Sequence, residues 1–147
     1  MPTAAKLFGA IAFTLIAFLA AEAMKPFLNG SQARSFFSEI CALVGAFAGW
    51  RVMGPGADGT RKMAMLTGLK TSFTTAMWSL MLFATWQMLE RSVEGRYATA
   101  VRAIEGIFTV MLEYGTLLVI SVPTIIVLAI GGIAGGVFSN WAAERWP

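Results

Sequence analysis

The stretch that decides the fold runs from Gly115 to Phe138 and reads GTLLVISVPTIIVLAIGGIAGGVF. Its 24 residues include no charged side chain. About 20 apolar residues in a helix are enough to cross the roughly 30 Å hydrocarbon core of a bilayer. Pro123 indicates a kink, which neighbouring helices can accommodate in a membrane. We therefore expect a transmembrane helix over residues 115–138.

The composition of the whole chain points to the same class of protein. Of its 147 residues, 57% are hydrophobic and only 13% are charged, and the mean hydropathy is +0.70. Soluble domains carry about 25% charged residues, and a chain of this size buries only a limited fraction of its surface in a globular core. The sequence therefore predicts a single transmembrane domain over residues 1–147, with lipid as its solvent.

Three further apolar runs predict three more spans, over about 6–24, 36–53 and 70–90. The first run ends at Ala21-Glu22-Ala23, which also has the small-x-small shape of a signal-peptide cleavage site. We interpret this run as a transmembrane helix. The second run is closed by Gly54-Pro55-Gly56, which is a strong helix stop.

The segment of residues 97–113 has a different pattern. Val101, Ile104 and Phe108 recur at helical spacing, with charged side chains between them. This spacing is typical of an amphipathic helix, which either lies in the membrane interface or extends the last span towards its N-terminus. The predicted fold is an all-α integral membrane protein. It is a four-transmembrane-helix bundle with an amphipathic helix or helix extension before the last span.

Small residues recur every four positions on three of the predicted spans. G-x-x-x-G spacing lets helix backbones approach closely in lipid. The candidate helix-packing or partner-contact residues are Gly45, Gly49, Thr71, Thr75, Ser79, Gly131, Gly132, Gly135 and Gly136. The spacing suits packing inside one bundle, and it equally suits a homo-oligomer or a face that docks a partner. Both interpretations stay open.

Charged and tryptophan side chains mark the ends of the spans. Lys6, Arg51, Lys70 and Arg145 flank one side, whereas every span meets a glutamate on the other. Because basic residues favour the cytoplasmic side, we expect a multi-pass membrane protein with both termini in the cytoplasm. The candidate interfacial charges and anchors are Glu22, Glu39, Arg51, Glu113, Trp141 and Trp146.

The residue types that the chain lacks argue against enzyme chemistry. The chain has no histidine, and Cys41 is its only cysteine. The commonest general base is therefore missing, and a zinc site of histidine and cysteine ligands cannot be assembled. Lysine and arginine are scattered between apolar runs, which argues against nucleic acid as a partner. We expect no catalytic residue, metal or cofactor, and we expect lipid, other membrane subunits or further copies of the chain as partners.

Several segments taken together resemble the TrgA family of small bacterial membrane proteins. They are Met1–Phe8 (MPTAAKLF), Ser38–Ile40 (SEI), Gly49–Gly54 (GWRVMG), Met111–Gly115 (MLEYG) and the glycine-rich last helix followed by Trp141-Ala142. The resemblance covers nearly the whole chain. It implies an alphaproteobacterial inner-membrane protein associated with tellurite resistance, and it brings no assigned catalytic residues.

Two functions are the main alternatives. In the first, the protein supports tellurite resistance without catalysis, through helix packing and protein contacts. In the second, it is an accessory subunit of a larger respiratory or photosynthetic membrane complex, which suits its size and its packing glycines. A small oligomeric transporter is a third alternative, and it would require an ionisable residue near the middle of a span.

Overall fold

The computed structural model describes residues 4–28, 36–56, 60–95 and 99–146, and these ranges contain five α-helices and no strand. The helices are α1 (Ala4–Met24), α2 (Phe37–Ala48), α3 (Arg61–Val93), α4 (Ala100–Ile120) and α5 (Val122–Arg145). A 3₁₀ turn, Lys25–Phe27, follows α1, and α2 continues through a π-helical turn, Gly49–Met53, into a 3₁₀ turn, Gly54–Gly56. The all-α class is confirmed.

α1 packs along two neighbouring helices, α2 and α5. It is antiparallel to α2, because the start of α1 lies beside the end of the α2 segment and the end of α1 lies beside the start of that segment. Near the start of α1, Gly9 contacts Gly49, and near its end Glu22 accepts a hydrogen bond from Ser38. The segment from Phe37 to Met53 therefore lies beside α1 over most of its length.

α1 and α5 are also antiparallel. At one end of the pair the Ser139 hydroxyl donates to the carbonyl oxygen of Ala5 over 3.0 Å. At the other end the Thr124 hydroxyl donates to the carbonyl oxygen of Ala20. These two contacts hold α5 in register with α1 from end to end.

α3 is a continuous helix of 33 residues, which corresponds to about 50 Å. Its first half packs on α5, where Gly68 meets Gly132. Its second half packs on α4, where the Arg91 guanidinium lies 3.9 Å from the Glu113 carboxylate. α4 and α5 therefore follow one another along α3, in the direction opposite to it.

The junction between α4 and α5 differs from the expected boundary. The sequence predicted one span over 115–138 that begins at Gly115, whereas α4 continues to Ile120 and α5 begins at Val122. Ser121 leaves the helical region with φ −76° and ψ 77°. Pro123 explains the break, because proline has no N–H to donate and its ring clashes with the preceding turn of a helix, whereas it is well tolerated in a first turn.

The segment predicted as an amphipathic helix over 97–113 is the greater part of α4, with residues 97 and 98 outside the described ranges. It forms a separate helix that packs on α3. Because the helix breaks at Ser121, this segment is not continuous with the last span. Val101, Phe108 and Leu112 are exposed on its outer face.

Within the described ranges, three helical stretches are long and apolar enough to cross a membrane: Ala4–Phe27, Val101–Ile120 and Val122–Arg145. The first and third correspond to the first and last predicted spans. The predicted spans over 36–53 and 70–90 are helical, within α2 with its continuation and within α3, but they are not among these three. The part of the chain that the structure describes is thus all-helical, with three candidate membrane spans.

Candidate functional site: helix-packing seams and the ends of the bundle

The first packing seam joins α1 to α2 and is built on Gly45 and Gly49. A methyl group added to Gly45 would overlap the carbonyl oxygen of Phe13, and one added to Gly49 would overlap the carbonyl oxygen of Gly9. Both obstacles are backbone atoms, which cannot rotate out of the way. The two predicted glycines therefore allow direct backbone contact between neighbouring helices.

The second seam joins α3 to α5. A methyl group on Gly136 would overlap the carbonyl oxygen of Ala64, and one on Gly132 would lie 2.5 Å from the Ser72 hydroxyl oxygen. On the facing helix, a methyl group on Gly68 would overlap the carbonyl oxygen of Gly132. Glycines thus meet on both sides of this seam, and the two backbones lie in contact.

The third seam joins the opposite side of α5 to α1. A methyl group on Gly131 would lie 2.8 Å from Cγ2 of Ile16, and one on Gly135 would lie 2.9 Å from Cδ1 of the same side chain. Because consecutive glycines point to different sides of a helix, the Gly-Gly pairs of α5 let it approach α1 and α3 at once. The structure places all six predicted glycines in contacts between helices of one chain.

The predicted hydroxyl residues of α3 face the interior. Thr71 and Thr75 are buried, and their hydroxyls donate to the carbonyl oxygens of Thr67 and Thr71, one turn earlier. Ser79 is half-buried, and it lines the same cavity as Cys41. Thr75 also lines this internal cavity, which is mostly apolar and has a volume of about 50 Å³. This volume is far below the roughly 300–1,000 Å³ of typical ligand pockets.

Several residues at the seams were missed by sequence reasoning. They are Gly9 opposite Gly49, Ala64, Gly68 and Ser72 opposite α5, and the hydroxyl donors Ser38, Thr124 and Ser139. A signal for one group was present, because Ala64, Gly68 and Ser72 are small residues at four-residue spacing on one helix face.

The hydrogen bond between α5 and α1 gives a direct test of this packing. Replacing Ser139 by alanine removes a donor that is fully buried and bonded to the Ala5 carbonyl. We expect the free energy of unfolding in detergent to fall by about 1 kcal/mol, the scale measured for hydrogen bonds between membrane helices. Ser92→Ala is the matched control, since Ser92 is exposed, and it should leave stability unchanged. Equal stability of the two variants would contradict the assignment.

One end of the bundle, the basic end, carries Lys6, Arg51, Arg61, Lys62 and Arg145. The start of α1, the end of α2 with its turns, the start of α3 and the end of α5 meet there, as the contacts of Gly9 with Gly49 and of Ala64 with Gly136 show.

An aromatic cluster covers the basic end. The rings of Phe8 and Trp146 stack with centroids 5.6 Å apart, and Phe138 packs against both Phe8 and Trp141. The Arg145 guanidinium lies over the Trp141 ring, 5.6 Å from its centroid. The two predicted tryptophan anchors are therefore brought together. Tryptophan rings of this kind sit at the level of lipid headgroups.

Arg51 contacts an aromatic ring in the same way. Its guanidinium lies 5.8 Å from the centroid of Phe47, one turn earlier on the same segment. Cation–π contacts of this type keep a charge close to apolar surface while its polar edge stays in water.

The opposite end, the acidic end, holds the predicted carboxylates. Glu22 forms an ion pair with Lys25 and accepts a hydrogen bond from Ser38 over 2.6 Å, which links α1 to α2. Glu113 faces Arg91 across α3 and α4. Glu39 is exposed at the start of α2. The structure therefore brings Glu22 and Glu113 into contacts between helices, and each carboxylate has its own cationic partner. It does not bring Glu22, Glu39 and Glu113 together in one cluster.

Among the described residues, no group of three histidine, cysteine, aspartate or glutamate side chains is arranged to hold a metal ion. Comparisons with protein-family models, with curated proteins and with solved structures found no match for this chain. The class defined by fold and site is therefore that of an all-helical protein with candidate membrane spans, whose most closely packed residues form the seams between helices.

Proposed function

We propose that this chain is a non-catalytic inner-membrane protein that acts through helix packing and contacts with other proteins. The observation that carries the proposal is the use of polar side chains inside the bundle. The hydroxyls of Ser38 and Ser139 join one helix to another, and those of Thr71 and Thr75 donate to their own helix. The two serine hydroxyls thus hold neighbouring helices together, the two threonine hydroxyls are satisfied by their own helix, and all four are used within the bundle.

The proposal includes four spans, namely α1, α2 with its continuation, α3 and α5. Its support is geometric. α4 and α5 are consecutive and run the same way along α3, and 21 and 24 helical residues make about 68 Å together. A bilayer core of roughly 30 Å accommodates one of them as a full span. α5 lies beside α1 from end to end, so α5 is the one that crosses with α1.

The orientation in the proposal places the basic end in the cytoplasm. Cations of the basic end, such as Arg51 and Arg145, lie on aromatic rings, while Lys25 and Arg91 of the acidic end are paired with carboxylates. The basic end therefore carries the stronger positive potential, and positive charge favours retention on the cytoplasmic side. Both termini are then cytoplasmic.

A second observation favours the accessory-subunit alternative. α3 and α4 border an almost wholly apolar surface groove of about 600 Å³, lined by Met77, Phe108, Leu112 and Val119 among others. The outer faces of both helices also expose large side chains, including Trp86. A subunit that docks beside another membrane protein would use such a face, whereas lipid would cover it in an isolated chain.

The link to tellurite resistance is proposed as indirect, reached through contacts with other envelope proteins. In a strain that lacks the protein, we expect tellurite tolerance to be restored equally by the wild-type chain and by Cys41→Ser or Glu39→Gln. A variant with a disrupted seam, Gly68→Ala, should restore little. Purified protein in liposomes should give no saturable tellurite uptake or reduction. Saturable activity that Cys41→Ser abolishes would replace this proposal with a chemical one.

A further inference from the structure

A pocket of about 460 Å³ lies at the basic end, between the start of α3 and the end of α5. Arg61 contributes a cation from α3, and Asn140, Trp141 and Glu144 line it from α5. One turn deeper, Val137 and Phe138 give it an apolar floor that continues along α5. The pocket thus combines opposite charges, an aromatic ring of the kind found at membrane interfaces and an apolar path towards the bilayer.

The Asn140 side chain is the most unusual group in this pocket. The residue is 3% exposed, and its amide nitrogen donates to Glu144 over 2.8 Å. Its amide oxygen is buried and has no hydrogen-bond partner. A buried acceptor without a donor costs about 1–3 kcal/mol, so a ligand that brings an N–H donor to this amide would recover that free energy.

Arg61 lies on the other wall of the pocket. Within the described residues no ion pair joins Arg61 to Glu144. Arg61 is also the first residue of α3, and Thr60, which precedes it, provides no side-chain cap. The free N–H groups of the first helical turn and the positive end of the helix dipole add to the attraction for an anion at this wall.

We propose that this pocket binds a phospholipid headgroup that carries both a phosphate and a primary ammonium group. Arg61 and the start of α3 bind the phosphate, because a guanidinium matches two phosphate oxygens at once. Glu144 and the amide oxygen of Asn140 accept hydrogen bonds from the ammonium group. An acyl chain follows Val137 and Phe138 along α5, and Trp141 lies at headgroup level. The proposal rests on the membrane location in the proposed function.

Native mass spectrometry of the purified protein with defined lipids tests the proposal. The probes are phosphatidylethanolamine, phosphatidylcholine, whose quaternary ammonium has no N–H, and phosphatidylglycerol, which has no ammonium. We expect phosphatidylethanolamine to be retained about tenfold more tightly than phosphatidylcholine, the factor that one charge-assisted hydrogen bond supplies. Equal retention of these two lipids, or tighter retention of phosphatidylglycerol, would overturn the assignment.

Two exposed side chains give matched variants. Glu144→Gln keeps an acceptor for the Asn140 amide but removes the carboxylate charge, and it should reduce the preference for phosphatidylethanolamine over phosphatidylcholine severalfold, leaving the part that the Asn140 amide oxygen supplies. Arg61→Gln should weaken the binding of all three lipids by a similar factor. Lys62→Gln, which changes a charge beside the pocket without touching its lining, should alter neither the preference nor the overall retention. An unchanged preference in Glu144→Gln contradicts the headgroup site, whereas recovery of the chain in the soluble fraction of cells would instead contradict the membrane location.

Discussion

Replacing Gly68 by alanine is expected to destabilise the protein strongly, while the same replacement at Gly115 is expected to stabilise it. The methyl group at position 68 would meet the carbonyl group of Gly132 and the Cα of Gly136, all of them backbone atoms. Relief requires the two helices to move apart, and overpacking of this kind costs about 1–3 kcal/mol or more. The loss should appear as a lower melting temperature in detergent and as reduced accumulation in the membrane.

Gly115 supplies the control because it is a helical glycine without such a contact. It lies inside a helix, and no atom of a neighbouring element is within 4 Å of the position that its methyl group would occupy. Alanine at this position should raise the free energy of unfolding by up to about 1 kcal/mol, because alanine has the higher helix propensity and reduces the conformational freedom of the unfolded chain. Replacement of glycine by alanine is thus expected to lower the stability at position 68 and to raise it at position 115. A stabilising effect at both would show that α3 and α5 are not in backbone contact.

This pair of positions shows which part of the packing could be predicted from sequence. The G-x-x-x-G spacings in α2 and α5 identified Gly45, Gly49 and the four glycines of α5, and the structure places all of them at seams. Gly68 has no second glycine at four-residue spacing, and its neighbours at that spacing are Ala64 and Ser72. Spacing alone also leaves the partner helix unknown, because the facing helix is chosen by the tertiary fold.

The helix break at Ser121 could not be predicted from the sequence for a different reason. Hydropathy measures how apolar a stretch is, and the run from Gly115 to Phe138 is apolar on both sides of the break. The local signal was Pro123, which was interpreted as a kink within one helix. The structure has two helices, because Ser121 takes a non-helical ψ and its carbonyl oxygen accepts from the N–H groups of Thr124 and Ile125 at the start of α5.

Hydropathy is also a poor guide to α3. Its apolar side chains are interspersed with Thr71, Ser72, Thr75 and Ser79, which lower the mean hydropathy of the helix but are buried or half-buried inside the bundle. A helix that turns polar side chains to its neighbours can face lipid with the rest of its surface, where Phe73 and Trp78 are exposed. We therefore include α3 among the proposed spans, although it is not one of the three helical stretches whose hydropathy alone suits a membrane.

Cysteine labelling in intact cells distinguishes the proposed four spans from a protein crossed only by α1, α4 and α5. A membrane-impermeant maleimide reaches only the periplasmic side. With four spans and a cytoplasmic N-terminus, Lys62→Cys at the start of α3 should stay unlabelled, and Val93→Cys at its end should be labelled almost completely. Val93 is 90% exposed and Lys62 is exposed, so access by the reagent is limited by the membrane and not by packing.

If α1, α4 and α5 were the spans, all of α3 would lie on one side of the membrane, and the two cysteines would behave alike. An inverted bundle would exchange their results, with Lys62→Cys labelled and Val93→Cys protected. The unmodified chain serves as the background, because its single thiol at Cys41 is 7% exposed and should not react in either intact or opened cells. Opening the cells should make Lys62→Cys reactive, which shows that protection came from the membrane. Only the four-span bundle with a cytoplasmic basic end combines a protected start of α3 with an accessible end, because only there does a helix of about 50 Å cross the bilayer from that side.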